Sequence, residues 1–537
     1  MEWLLTDADI VTMPGAPGNA RAMLVRDGRV AAVGSSEQVR FVAAPDAQVI
    51  RLDGATVLPG LIDAHCHLMD AGYLAAGADC SVSAAPGIPA IQARLRAAAE
   101  TAPDGSWVTG RGYVEYKLAE RRHPTRADLD AAVPHRPAIL FHTSLHACVL
   151  NTAALRAAGF GDQQPDPPGG RFGRDPAGRL DGVVYEGPTL PLLWGCLRRD
   201  MQRMSSATQA ELAERAGHQF AALGITAACD ADTRRESLTA YAAADEQGVL
   251  PVRIHAMVVH DEADWLLGSG LRGRRSGRLA ATAVKIWADG GMSSRTAAIH
   301  GRYPVPPYGS GIMYFSPAEL TALVREFDGH GLQVCVHAQG DRCLEAVLDA
   351  YAAVAAGRPG NPRRHRIEHG GALFAPLAAR AAELGIVVAS QPGFFSVLGD
   401  GFAEALPARA DELYAFASWR RAGITVAGSS DAPVITADPL VGLRDAVLRT
   451  TGSGRVLGPG ERLPAAAALA LYTTDAAFAM HREREIGSLE PGKLADFVVL
   501  DGNPLTVPPE RITGLRVLAT VIGGHPVHQS AGLFPAA

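Results

Sequence analysis

The chain has 537 residues, 47% hydrophobic and 20% charged, with a formal net charge of −6. That composition supports a large buried core and excludes wholesale disorder. No basic block or stripe is present, which excludes a nucleic-acid-binding footprint.

The start, "MEWLLTDADIV", has neither the basic region nor the long apolar region of a secretory signal. No stretch offers about 20 apolar residues free of charges and breakers, so no membrane span is expected. Seven cysteines are scattered without a C-x-x-C pair. That usage fits a reducing cytoplasm better than a disulfide scaffold or a zinc ribbon.

The N-terminal segments "LLTDADIVTM", "RAMLVRDGRVAAVG" and "QVIRLDGATVLPG" alternate apolar and polar residues, with Asp-Gly marking turns. The C-terminal segments "IGSLEPGKLADFVVLDGNPL" and "LRVLATVIGGHPVH" have the same texture. Together they predict one small β-sandwich assembled from residues 1–57 and 487–537. Between them, short apolar runs recur: "GLIDAHCH", "GITAACDAD", "VRIHAMVVH", "ATAVKIWADG", "LQVCVHAQGD", "RHRIEHG", "IVVASQP" and "ITVAGSSDAP". Segments with helical spacing separate them, such as "SPAELTALVREFDGHG" and "CLEAVLDAYAAVAAG". Eight buried-type strands alternating with helices predict a (β/α)8 TIM barrel over residues 58–486. The gap at residues 70–220 exceeds one helix and is expected to be an inserted subdomain.

Barrel chemistry sits at the C-terminal strand ends. The first run ends in His65 and His67, which alternation turns to one side. The fourth supplies Lys285, the fifth His337, the sixth His369 and the eighth Asp431. Imidazoles and a carboxylate suit Zn²⁺ and similar ions. The lysines are Lys117, Lys285 and Lys493 alone, so this chain uses arginine wherever a plain positive charge suffices. A buried lysine loses its proton readily, whereas arginine does not. A neutral Lys285 amine would take up CO₂ as a carbamate and bridge two metals. Cys66, between two ligands, should point away from them and pack; Cys335 should share the face of His337.

These motifs resemble the metal-dependent amidohydrolase superfamily in "PGLIDAHCH", "VKIWADGG", "VCVHAQGD", "RIEHG" and "GSSDAPV". "RPAILFHTSLHACVLNTAAL", "VKIWADGGMSSRTAA" and "SLEPGKLADFVVLD" resemble more narrowly its family 3, the YtcJ-like branch that includes the N-substituted formamide deformylases. The resemblance implies that His65, His67, Lys285, His337, His369 and Asp431 hold one or two divalent ions, and that Asp431 also moves protons. His146 aligns with a substrate-side histidine and is the second expected catalytic residue, with it or a metal polarising the carbonyl oxygen, although Leu145-His146 and Asn151-Thr152 replace the usual Gly-His and Asn-Ser. The implied reaction is metal-assisted hydrolysis of a small amide, an N-substituted formamide first. A cyclic amide, a carbamate, or a lyase or isomerase step on a specialised metabolite stays open, and a catalytically silent binding protein stands last. Expected substrate contacts are Glu186 in the insertion and Trp287, Arg295, Tyr303, Phe394 and Phe395 near strand ends. Asp289 and Glu368 are expected to hydrogen-bond beside the ligands. The partner is a small molecule, and a homodimer is left open.

Overall fold

A computed structural model describes residues 2–13, 20–75, 77–102, 105–143, 145, 147–167, 170–186, 189–305, 309–355, 360–530 and 532–535, excluding the side chains of 186, 189, 190, 193, 194, 197 and 276. Eight strands form one parallel sheet: β1 (Leu61–Cys66), β2 (Ile225–Thr233), β3 (Arg253–Val259), β4 (Leu279–Trp287), β5 (Gln333–Ala338), β6 (Arg366–His369), β7 (Val387–Ser390) and β8 (Val426–Gly428). Each of the eight apolar runs read from the sequence supplies one of them. Every adjacent pair in the path is parallel. The chain beyond β8 then returns to β1: the Asp431 amide donates to His65 O at 2.8 Å, and the His67 amide donates to Ala432 O at 2.7 Å. These bonds draw the sheet into a nearly closed TIM-type barrel.

The strands are buried along almost their whole length because helices cover the sheet. "SPAELTALVREFDG" becomes the helix Pro317–Gly329. Its Ser316 hydroxyl accepts from the Glu319 amide, and the Glu319 carboxylate accepts from the Ser316 amide at 2.8 Å. That reciprocal cap satisfies two otherwise orphaned donors. Among the described residues no helix is long and apolar enough to cross a membrane.

Two further sheets share a core with each other. One orders Arg29–Gly34, Ala22–Arg26, Glu2–Thr6 and Gln48–Arg51; the other orders Asp9–Ile10, Thr56–Pro59, Phe497–Leu500, Val517–Ile522 and His525–Gln529. Trp3, Leu5, Met23, Phe497, Val499 and Phe534 meet in their common interior. A buried ion pair ties this region to the barrel. Arg253 on β3 donates from Nε and Nη2 to Asp496 at 2.6 and 2.9 Å, and Asp496 also accepts from the Gly523 amide at 2.7 Å.

The chain divides into two compact units, one of Met1–Leu68, Ala213–Ala432 and Thr436–Ala537, the other of Met69–Leu212 and Pro433–Ile435. The second has its own six-stranded sheet, ordered Gly170–Arg174, Leu180–Glu186, Ala147–Leu150, Ala138–His142, Val108–Tyr113 and Ala78–Asp79. The helix Ile88–Thr101 seats Ile88, Ile91 and Leu95 in its core.

Removing one partner of a buried ion pair strands the other. Asp496→Ala should therefore destabilise the protein by about 3–5 kcal/mol, measured by urea unfolding.

Candidate metal centre

Strand register brings the chemistry to one level. Lys285 lies opposite Cys335, Trp287 opposite His337, His337 opposite Glu368, and Ala338 opposite His369. His65, Lys285, His337 and His369 are all buried, with His67 and Asp431 nearly so.

His65 is held from behind. Its Nδ1 bonds the Glu368 carboxylate. Arg366 clamps that carboxylate through Nε and Nη2, both at 2.8 Å, and its Nη2 also donates to Ala64 O at 2.7 Å. Burial opposes the ionisation of Glu368, but the Arg366 guanidinium and His65 hold its carboxyl well below the usual range. With Nδ1 occupied, His65 turns Nε2 to the front. Asp431 Oδ1 lies 3.4 Å from His65 Nε2 and 3.2 Å from His67 Nε2. Lys285 Nζ lies 3.4 Å from the same His65 nitrogen. Burial opposes a charged Asp431 too, yet hydrogen bonds from His65 and His67 keep its carboxyl well below the usual range.

His369 completes the group. Its ring centroid is 4.8 Å from that of His65 and 4.5 Å from that of His337. Its Nδ1 bonds Gln391 Oε1 at 2.9 Å, and Gln391 is fixed by donating to Ser429 Oγ at 3.0 Å. Burial pushes the His369 imidazole down to about 3, so it is neutral. Nδ1 is then the donor, and the lone pair on Nε2 is buried with no hydrogen-bond partner. His337 directs Nε2 to Gly290 O at 3.3 Å and Asp289 Oδ1 at 3.4 Å. Burial pushes the Lys285 amine down, against the pull of Glu368 and Asp431. Two of these residues sit in left-handed backbone, His369 at φ 71° and Asp431 at φ 59°. Non-glycine residues rarely adopt that conformation, and it concentrates at functional sites.

A metal fits this donor set. Ligand atoms about 2.0–2.2 Å from a tetrahedral ion lie about 3.3–3.6 Å from one another. The separations of 3.2 and 3.4 Å around Asp431 match that spacing, and His65, His67 and Asp431 each offer an atom within 4.8 Å of the others. The neutral, unpartnered His369 nitrogen is the group an ion would satisfy.

The aromatic candidates divide. Trp287 stacks on His67 with centroids 6.1 Å apart, approaches His337 at 4.8 Å, and carries Lys285 Nζ 4.3 Å from its ring centre. Phe394 stacks on His369 at 6.4 Å. Phe395 instead lies under the Arg449 guanidinium at 4.0 Å, and Tyr303 donates its hydroxyl to Ala297 O at 2.8 Å. Arg295 pairs with Glu404 at 3.2 Å. His146 and the Glu186 side chain lie outside the described residues.

Arg366, Asp63, Gln391 and Ser429 also belong to this network and are absent from the sequence reading. Asp63 Oδ1 accepts from the His65 amide at 3.2 Å and the Ser430 amide at 3.0 Å, joining β1 to the turn after β8. Burial pushes the Asp63 carboxyl up to about 7. Strand alternation was the available signal: Asp63 stands two before His65, and Arg366 two before Glu368.

A model of the amidohydrolase family matches residues 48–528, and the chain belongs to that family of hydrolases, which act on carbon–nitrogen bonds. It is 31% identical over 531 residues to the N-substituted formamide deformylase of Arthrobacter pascens, covering 97% of each chain. It is 30% identical over 536 residues to YtcJ of Bacillus subtilis (strain 168), covering 97% of this chain and 98% of that one. An uncharacterized metal-dependent hydrolase from Pyrococcus horikoshii OT3 shares the fold, with a TM-score of 0.78 and 24% identity over 95% of this chain and 99% of that one. Atrazine chlorohydrolase TrzN from Arthrobacter aurescens TC1, solved with zinc, shares it with a TM-score of 0.51 and 15% identity over 98% of this chain and 95% of that one.

The Arg366 clamp carries a pH-dependent stability. Glu368 titrates below its ordinary 4.5 in the folded protein, so its contribution is complete above that pH and is lost as pH falls through the folded value. Arg366→Met should cost about 3–5 kcal/mol at neutral pH by urea unfolding. Without the guanidinium the carboxyl takes up a proton more readily, so the deficit should narrow from pH 7 to pH 5.

Proposed function

We propose that this enzyme hydrolyses an N-substituted formamide, or a similar small amide, at a zinc site held by His65, His67, Lys285, His337, His369 and Asp431. The observation that carries the reading is the Asp431 carboxylate 3.2 and 3.4 Å from two buried imidazoles, beside the unpartnered Nε2 of His369. The full-length likeness to a formamide deformylase supports the substrate class. Zinc in a neighbour of the same fold supports the metal.

A bound divalent ion lowers the pKa of water toward ~7 and polarises a carbonyl oxygen. The chain's own groups do the rest. His65 and His67 present Nε2, and His369 presents its neutral Nε2. His337, with Nε2 engaged by Gly290 and Asp289, presents Nδ1. Lys285, whose amine burial favours in its neutral form, would add CO₂ with loss of a proton and so offer a carbamate oxygen as a carboxylate-like ligand. Asp431, ionised in the folded protein, accepts a proton from the attacking water. It returns that proton to the nitrogen as the C–N bond breaks, releasing a carboxylic acid and an amine. Trp287 and Phe394, packed against the imidazoles, provide an apolar wall that excludes bulk water.

Formate release from N-benzylformamide by enzyme loaded with Zn²⁺ in bicarbonate buffer tests the reaction. Rapid release that a chelator abolishes is expected; none from fully metallated enzyme would remove formamides as the substrate. Asp431→Asn should lower kcat by about a thousandfold while much of the zinc remains bound, by elemental analysis. A normal kcat in that variant would overturn the proton-transfer role.

A further inference from the structure

Strands β2 and β3 supply no group to the metal site proposed above, yet each has an ionisable side chain within one residue of its C-terminal end, Asp232 and His260. Asp232, the penultimate residue of β2, has a side chain that is 0% exposed. Neither carboxylate oxygen has a hydrogen-bond partner. Among the described residues its one ion pair is with Arg234, whose Nη2 stands off at 3.7 Å. That guanidinium is shared among carboxylates: its Nη1 donates at 3.0 Å to both oxygens of Asp261 and lies 3.8 Å from Glu262, while it faces Asp232 without a hydrogen bond. A buried carboxylate without hydrogen bonds is costly, and native examples point to a missing partner.

The location is informative. β2 loses regular register with β3 between Asp230 and Thr233. Such an irregularity re-aims side chains beside active sites. His260 follows β3, and its Nδ1 is buried with no partner; the Trp287 indole N–H on β4 has none either. Three successive strand ends thus leave a carboxylate, an imidazole nitrogen and an N–H unmet by the protein. The group of metal-competent atoms formed by His65, His67 and Asp431 does not include Asp232.

We propose that Asp232 is a specificity-determining residue that receives a cationic N–H group, a protonated amine or amidinium, carried by the amide substrate, with His260 Nδ1 at the next strand end as a further acceptor and the Trp287 indole N–H as a donor to an oxygen of the same substrate. Arg234 offsets part of the charge but stands off at 3.7 Å and gives neither oxygen a hydrogen bond, so a charged N–H donor is the group that would meet both needs. This rests on the amide-hydrolase reading for the word substrate, but not for the cation subsite itself.

The test compares N-(4-aminobutyl)formamide with N-butylformamide on zinc-loaded enzyme, and measures 1,4-diaminobutane binding by calorimetry. Wild type should prefer the aminobutyl compound in kcat/KM by about thirtyfold or more, chiefly through KM. Asp232→Asn should bring that ratio close to one and abolish diamine binding, with zinc content unchanged. Asp232→Glu, which keeps the charge, should retain part of both. Equal kcat/KM for the two formamides together with no diamine binding by wild type would overturn the proposal, whether or not the variants fold. Loss of zinc from a folded Asp232→Asn protein would overturn it by making Asp232 a metal ligand. Asp232-dependent diamine binding without turnover of either formamide would support the cation subsite and count against the formamide reading alone.

Discussion

One buried chain of contacts, Arg366 to Glu368 to His65, sets the terms for the rest of the centre. A carboxylate at zero exposure is tolerable here because a guanidinium clamps it from below and an imidazole caps it from above. The clamp fixes which His65 nitrogen faces forward, and that nitrogen lies within 3.4 Å of both Asp431 and Lys285. Each interior strand residue in this chain is two positions from the next, so a single strand, β6, carries both cation and anion. The barrel interior is thus electrostatically layered, with the Arg366–Glu368 charges neutralised beneath and a neutral His369 and an ionised Asp431 above.

That layering explains how His369 stays neutral and how Asp431 stays ionised within one small volume. His369 receives no carboxylate at its second nitrogen, only the Gln391 amide, while Asp431 receives two imidazoles. The left-handed backbone at both residues is held by bonds across the sheet ends, among them the Asp431 amide to His65 O. Strain of order 1–3 kcal/mol per residue is sustained where surrounding packing leaves no alternative.

The barrel strands were legible because each is a short apolar run flanked by helical spacing, and the residues that close the runs include the histidines, lysine and aspartate that the fold brings to one level. Lys285 stood out because arginine replaces lysine nearly everywhere else. What was not legible depends on cross-strand register. Gln391 follows a run with no ionisable terminus, and only the fold brings it to His369. Arg366 reads as a solvated charge until β6 is seen to be buried on both faces. For Tyr303 and Phe395 the position after a strand does not disclose their contacts: the Tyr303 hydroxyl donates to a loop carbonyl and Phe395 lies beneath an arginine. Asp232 escaped notice because a carboxylate is unremarkable in sequence and anomalous only once its surroundings are known to offer it nothing.

The hydrogen bonds that close the barrel join the first strand to the segment after the last, and the residues on either side of that seam are His65, His67 and Asp431. During synthesis the two histidines therefore emerge long before their carboxylate exists. The partial chain presents an i, i+2 histidine pair, and the carboxylate joins it only once the segment after β8 pairs with β1. The cluster can therefore be completed only after the last barrel strand has been made, so its geometry depends on closure of the barrel and on no single strand.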